Sequence, residues 1–191
     1  MSVLTTDLRS HLALVTGTSG GIGKATCLAL ASMGCSIAVH YHSSKSAAEE
    51  LVTQLKEKGV KAEAFSADLT KYDEVSRSAA PHSRPRWSLP WVRFIRLTAH
   101  QVRSLHAAVV KNLGKPTILF NNAGLTLKSG IKSITEISID EFEHTWRANC
   151  GSAFLMTQLC VPEMEKAGWG RVIFCSSVAG FNGGVVGPHY A

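Results

Sequence analysis

Leu12-Ala13-Leu14-Val15-Thr16-Gly17-Thr18-Ser19-Gly20-Gly21-Ile22-Gly23 is the stretch that orders everything around it. Four apolar residues in succession, with no polar alternation, mark a short strand covered on both faces. The strand runs into a glycine-rich turn. A helical pattern comes next, through Leu28, Leu30 and Met33, and Gly34 closes it. The first turn of a helix leaves backbone amides unpaired and carries partial positive charge, so it attracts phosphate. Glycines allow the sharp turn and let a pyrophosphate approach the backbone with no side chain between. The spacing is G-x-x-x-G-x-G, different from the G-x-G-x-x-G of the dinucleotide fingerprint, but the strand–turn–helix setting is the same.

Outward from this unit the alternation continues. Ser36-Ile37-Ala38-Val39 reads as a second strand, and Ser46-x-x-Glu49 as a capping box opening a helix with Leu51, Val52 and Leu55 on its buried stripe and Gly59 as its stop. A third strand is expected in Ala62–Ala67 and a fourth in Thr117–Phe120. Ser138-x-x-Glu141 opens a longer helix. Phe142, Trp146, Phe154, Leu155 and Leu159 are available for its buried faces, Pro162 bends or ends it, and Gly168 closes the region. Val172-Ile173-Phe174-Cys175 is a fifth strand. Strands alternating with helices predict an α/β domain with a doubly wound parallel sheet (Rossmann fold). At 191 residues the chain is one such domain.

Ser78–Arg103 breaks the pattern. It holds three prolines, two tryptophans and no acid, and interrupts what would otherwise be one helix running from Tyr72–Arg77 into Leu105–Val110. Each proline inside a helix costs about 3 kcal/mol, so 78–103 reads as a basic insertion outside the packed core. It also explains the net charge of +6. Five arginines (84, 86, 93, 96, 103) lie in it, and without them the chain is close to neutral. Its interleaved Arg and Trp would suit a membrane surface or single-stranded nucleic acid. In-frame non-coding sequence is the simpler and preferred explanation, and neither a membrane nor a nucleic-acid partner is expected. No run of about 18 apolar residues exists to span a bilayer. The first ten residues have no signal-peptide core. Five scattered cysteines form no C-x-x-C pair, which points to reduced, mostly buried thiols in an intracellular, cytoplasmic setting, with the mitochondrial matrix as the alternative. No metal-ligand spacing is present, and His144 and His189 read as surface or loop residues.

The glycine turn is one of six motifs in order: Thr16–Gly23, Ala67-Asp68-Leu69, Asn121-Asn122-Ala123-Gly124, Asn149, Ser176-Ser177 and Tyr190. Together they resemble the short-chain dehydrogenase/reductase family, and most of all its 3-oxoacyl-[acyl-carrier-protein] reductases and related carbonyl reductases. The resemblance implies strand order 3-2-1-4-5 and a cofactor crevice at the carboxyl ends of strands one and four. It implies cofactor contacts from Gly17, Ser19, Gly21, Ile22 and Gly23 in the turn. Further contacts are implied from His40, Tyr41 and Lys45 around the end of strand two, from Asp68 and Leu69 after strand three, and from Asn121, Ala123 and Gly124 after strand four. Asp68 would hydrogen-bond the adenine amino group.

Ser177, Tyr190 and Asn149 are the implied catalytic residues. Reducing a ketone needs a hydride at carbon and a proton at the developing alkoxide. Tyr190 would supply the proton, Ser177 would hold the same oxygen, and Asn149 would anchor a water that continues the proton path. The family places a lysine four residues beyond its tyrosine, where the charge lowers a phenol pKa of about 10. This sequence ends at Ala191, so that lysine lies outside it. The expectation is therefore a fold incomplete at the C-terminus, a fifth strand with exposed apolar surface and negligible turnover. A dehydrogenase that prefers NAD carries an acid at the end of strand two. Here His40-Tyr41-His42-Ser43-Ser44-Lys45 has none, which points to NADP(H). The function expected is NADPH-dependent reduction of a carbonyl, a small molecule or 3-oxoacyl thioester. The alternative is a non-catalytic nucleotide-binding fragment. Full-length relatives are expected to be homo-oligomers, an expectation that weakens for this shorter chain.

Overall fold

The computed structural model describes residues 7–71, 101–183 and 186–190. Five parallel strands form one sheet in the order β3-β2-β1-β4-β5: β1 Leu12–Val15, β2 Ser36–Tyr41, β3 Ala62–Ser66, β4 Ile118–Asn121 and β5 Arg171–Phe174. The helices between them are α1 Gly21–Ser32, α2 Lys45–Glu57, α3 Gln101–Asn112, α4 Ile139–Trp146, α5 Ser152–Lys166 and the short α6 Ala179–Asn182. This is the doubly wound sheet that the apolar runs predict.

The two-residue period of a strand sends its side chains to opposite faces. Ala13 and Val15 join Ile37, Val39, Ile118 and Phe120 beneath α1 and α2, whereas Leu12 and Leu14 join Ala38 and Leu119 beneath α3 and α5. β1 is central, with Ala13 opposite both Ile37 and Ile118, so its end is enclosed by neighbours and fixes where the glycine turn sits.

Several expectations need correcting. The Ser46–Glu49 capping box is not formed. α2 already begins at Lys45, Ser44 precedes it without a side-chain cap bond, and Glu49 pairs with Lys45 at 3.5 Å. The Ser138–Glu141 box does form, and a second one, Ser133–Glu136, precedes it at a 3₁₀ turn over Ile134–Glu136. Phe142, Trp146 and Phe154 are exposed rather than buried, Phe154 at 65%. A π-helical turn, Arg147–Gly151, lies between α4 and α5. The extra residue in a π turn rotates the next helix by about one helical position. The buried stripe of α5 is accordingly Ser152, Met156, Cys160 and Met164, with Leu155 beside it. Pro162 lies inside α5 without ending it.

The C-terminal boundary of the expected insertion also moves. Gln101, Val102 and Arg103 form the first turn of α3, and Val102 is 0% exposed. Residues 78–100, with Trp87 and Trp91, and the flanking 72–77 lie outside the described residues. Among the described residues β5 is a sheet edge with Ile173 and Phe174 about half exposed, matching the exposed apolar surface expected for the fifth strand and not the two-sided cover that its apolar run alone would suggest. All five cysteines are free; Cys27, Cys35 and Cys160 are buried, Cys150 and Cys175 exposed.

Candidate functional site

A cleft of about 390 Å³ opens where β1, β2, β3 and β4 end. The glycine turn forms one wall, Ala67–Thr70 a second, and Asn122–Leu125 with Ala148 a third. No side chain caps α1, so its first-turn amides stay open. Gly17 has φ +67, and a Cβ there would stand 2.7 Å from the Cα of Ala123. A Cβ on Gly23 would stand 2.7 Å from the Gly17 carbonyl. These two glycines let the turn fold against α1 and β4. Gly21, by contrast, faces open space, with nothing within 4 Å of a built Cβ, and lines the cleft. A phosphate could therefore come close to the backbone at that point. The uncapped helix, the bare glycine wall and a volume inside the usual 300–1,000 Å³ for ligand sites fit a dinucleotide.

Two polar side chains brace the turn. The Thr16 hydroxyl accepts from the Asn122 and Ala123 amides at 2.9 and 3.0 Å and donates to the Phe120 carbonyl at 3.3 Å. The Asn122 side chain donates to the Thr16 and Gly17 carbonyls at 2.9 and 3.0 Å. Both residues stand within the quoted motifs, yet neither was among the predicted contacts. Only the fold brings residues 16 and 122 together.

The predicted cofactor contacts divide. Gly17, Ser19, Gly21, Ile22, Asp68, Leu69, Ala123 and Gly124 line the cleft, and Gly23 packs directly behind it. Asp68 accepts from the Thr70 amide and hydroxyl at 3.0 and 2.7 Å, with Lys71 at 3.4 Å and His42 at 3.9 Å. Burial pushes its carboxyl up, but the Thr70 hydrogen bonds, His42 and Lys71 outweigh that and hold it below the ordinary carboxylate range. It is an anion at neutral pH.

Asn121, Tyr41 and Lys45 do not line the cleft. Asn121 is buried at the end of β4 and donates to the Thr157 hydroxyl at 3.3 Å, Tyr41 packs on the core beneath α1 and α2, and Lys45 is held by Glu49. His40 does reach the cleft but not as a cation. Its ring is buried, and burial pushes its pKa down to about 4, with His42 adding to the effect and a hydrogen bond to Ala67 opposing it. The exposed His42, two residues on, stands on the cleft wall 3.9 Å from the Asp68 carboxylate, although the sequence placed only His40, Tyr41 and Lys45 of this stretch among the cofactor contacts.

The catalytic candidates are less assembled. Asn149 stands in the π turn, its Oδ1 accepting from the Leu125 amide at 2.8 Å and its Nδ2 donating to the Leu125 carbonyl at 2.9 Å. Its side chain is thereby committed to clamping the segment after β4. Ser177 accepts from the Ala179 amide at 3.2 Å at the start of α6, and the Tyr190 amide donates to the Gly187 carbonyl at 3.1 Å. Both are half-buried, and neither lines the cleft. His189, expected at the surface or in a loop, lies in a turn but is buried, with its Nε2 3.4 Å from the Thr126 hydroxyl. Among the described residues no cluster of His, Cys, Asp or Glu could hold a metal, and no helix is long and apolar enough to cross a membrane.

Comparison with known proteins agrees with this geometry. The family model described as short chain dehydrogenase matches residues 11–82 and 93–191, passing over ten positions inside the 78–103 stretch. The chain is 31% identical to a 3-oxoacyl-[acyl-carrier-protein] reductase of Staphylococcus epidermidis, covering 90% of this chain and 58% of that protein. It is 29% identical to an L-rhamnose 1-dehydrogenase (NADP(+)) of Thermoplasma acidophilum, covering 96% and 61%. The crystal structure of acetoin dehydrogenase from Salmonella typhimurium superposes with a TM-score of 0.74 at 25% identity, over 94% of this chain and 60% of that one. The chain thus spans about three fifths of the length of these relatives. With the glycine turn, the 3-2-1-4-5 sheet and a match over most of its length, the chain belongs to the short-chain dehydrogenase family of oxidoreductases, whose members bind nicotinamide cofactors.

Proposed function

We propose that this chain is the dinucleotide-binding part of an NADPH-dependent reductase acting on a carbonyl, with 3-oxoacyl thioesters as the leading substrate class. The observation that carries the reading is the wall of the cleft at the end of β2. Among the described residues it presents His42 and no carboxylate other than Asp68, which is already shared among Thr70, Lys71 and His42. A 2′-phosphate there would meet an imidazole rather than the acid that a ribose hydroxyl prefers. Similarity to an L-rhamnose 1-dehydrogenase (NADP(+)) supports the same cofactor, and similarity to a 3-oxoacyl-[acyl-carrier-protein] reductase supports the substrate class.

When bound, the dinucleotide supplies hydride to the carbonyl carbon. Gly17–Gly23 would hold its pyrophosphate on the open amides of α1, and Asp68 would accept from the adenine amino group. Asn149 would keep Leu125 and its neighbours in place beside the nicotinamide ribose. The Tyr190 hydroxyl would give its proton to the carbonyl oxygen, with the Ser177 hydroxyl donating a hydrogen bond to the same atom.

A second reading, nucleotide binding without turnover, is favoured by the position of Ser177 and Tyr190 outside the cleft lining. One pair of measurements separates the two. NADPH should bind at least about tenfold more tightly than NADH, a difference of about 1.4 kcal/mol; equal affinities refute the cofactor assignment. NADPH oxidation with an acetoacetyl thioester, compared with the Tyr190→Phe variant, then tests catalysis. Turnover that ignores the loss of the hydroxyl refutes the role of Tyr190, and binding without turnover supports the second reading.

A further inference from the structure

His40 is a buried titratable side chain that the proposed reaction does not use. It is the penultimate residue of β2 and is 2% exposed. Four hydrogen bonds outside the sheet ladder meet at it. Its backbone carbonyl accepts from both the amide and the hydroxyl of Thr18, each at 3.0 Å. Its Nδ1 lies 3.0 Å from the Gly17 amide, and its Nε2 3.0 Å from the Ala67 carbonyl. The chemistry of these partners assigns the proton. An amide can only donate and a carbonyl can only accept, so Nδ1 is the lone pair and Nε2 carries the hydrogen. The ring therefore ties the glycine turn to the end of β3 through the end of β2.

Gly17 needs such a tie. Its φ of +67 and its contact with Ala123 leave the turn one tight arrangement. Its amide would otherwise be a partly buried donor with no acceptor.

We propose that His40 is the positioning residue of the glycine turn: its neutral ring accepts the Gly17 amide, and a proton arriving at Nδ1 removes that acceptor and loosens dinucleotide binding. The charged groups around the ring do not reverse this. The turn Thr16–Gly23 contributes no titratable side chain. The end of β2 contributes His42, whose charge opposes a second one on His40. The end of β3 contributes Asp68, already occupied by Thr70, Lys71 and His42. The dinucleotide half of the proposal rests on the reading of the cleft given above, whereas the hydrogen-bond half does not.

Two substitutions separate the ring nitrogens. His40→Asn puts an amide oxygen near the place of Nδ1 and keeps an acceptor for Gly17, while His40→Gln reaches the place of Nε2 and loses it. Calorimetric titration with NADPH and with ADP should show His40→Gln weakened about tenfold, the size expected from stranding one buried donor, and His40→Asn within about threefold of the wild type. Affinity of the wild type should hold from neutral pH downward and fall as pH approaches 4, with His40→Asn flat over that range. Nitrogen NMR of the wild-type chain at pH 7 should find Nδ1 unprotonated and coupled across the hydrogen bond to the Gly17 amide. A protonated Nδ1, or an Asn variant as weak as the Gln variant, overturns the proposal. If the wild type binds neither probe, the cleft reading and the binding half fall, and the NMR result alone decides whether His40 holds the turn.

Discussion

Gly17→Ala tests the turn most directly, because the structure gives both costs. At φ +67 an alanine sits in the left-handed region, which costs about 1–2 kcal/mol. Its Cβ would also stand 2.7 Å from the Ala123 Cα and 3.1 Å from the Ala123 amide nitrogen. Those atoms are backbone and cannot swing aside, so overpacking adds about 1–3 kcal/mol. Alanine stiffens the unfolded chain and returns about 0.4–1 kcal/mol. The net expectation is a loss of about 1–4.5 kcal/mol. With a urea m-value of about 2 kcal/mol/M, the unfolding midpoint should drop by about 0.5–2 M at unchanged slope.

Gly21→Ala is the control. It is the first residue of α1 with open space around a built Cβ, so stability should hold or rise by up to about 1 kcal/mol. The same variant narrows the cleft wall and should weaken NADPH binding. Urea titration followed by tryptophan fluorescence reads the first effect, calorimetry the second. A Gly17→Ala loss below about 1 kcal/mol, or a Gly21→Ala variant less stable than Gly17→Ala, would refute the reasoning about the turn.

Acid sensitivity is expected from His40. Its folded pKa of about 4 lies below the ordinary histidine value of about 6.5, so between these values the unfolded chain binds the extra proton. The stabilisation is complete above about pH 6.5 and is lost as pH falls through the folded pKa, roughly 3 kcal/mol in all at about 1.4 kcal/mol per pH unit. Urea midpoints taken from pH 7 to 4 should decline for the wild type and decline less for His40→Asn; a wild-type midpoint that rises towards pH 4 contradicts the account. Ser138→Ala should cost about 1 kcal/mol, since Ser138 caps the Glu141 amide at 3.2 Å and its own amide donates to the Glu141 carboxylate in return. Ser46→Ala, at the box that does not form, should stay within about 0.5 kcal/mol, and thermal melts showing equal losses would contradict the difference between the two helix starts.

Much of this was legible in the residues themselves. Wholly apolar runs at Leu12–Val15 and Ile37–Val39 specify strands covered on both faces, because a parallel strand under helices has no wet side. Gly17 specifies a turn that no other residue could make so close to Ala123, and Gly23 lets α1 start directly against the Gly17 carbonyl. The Ser138–Glu141 pair specified a helix start because its whole geometry is local. Local signals also misled where a longer element decided the outcome. The identical pattern at Ser46–Glu49 was overridden because α2 starts ahead of it. Phe142, Trp146 and Phe154 were assigned to the core by hydrophobicity alone, and one π turn sets which face of the helix packs on the sheet.

The site divides in the same way. The order of the motifs, and with it the family, was carried by one-dimensional spacing. Which of two histidines near the end of β2 is buried was not, since residues 40 and 42 share a strand face and only packing separates them: the His40 ring is enclosed between Gly17 and Ala67, and His42 stands exposed on the cleft wall. The braces Thr16–Asn122 and Asn149–Leu125 join positions 106 and 24 residues apart. A hydrogen bond acts over about 3 Å of space and carries no record of its partner in the sequence, so only the folded sheet, which brings the ends of β1 and β4 side by side, could reveal them.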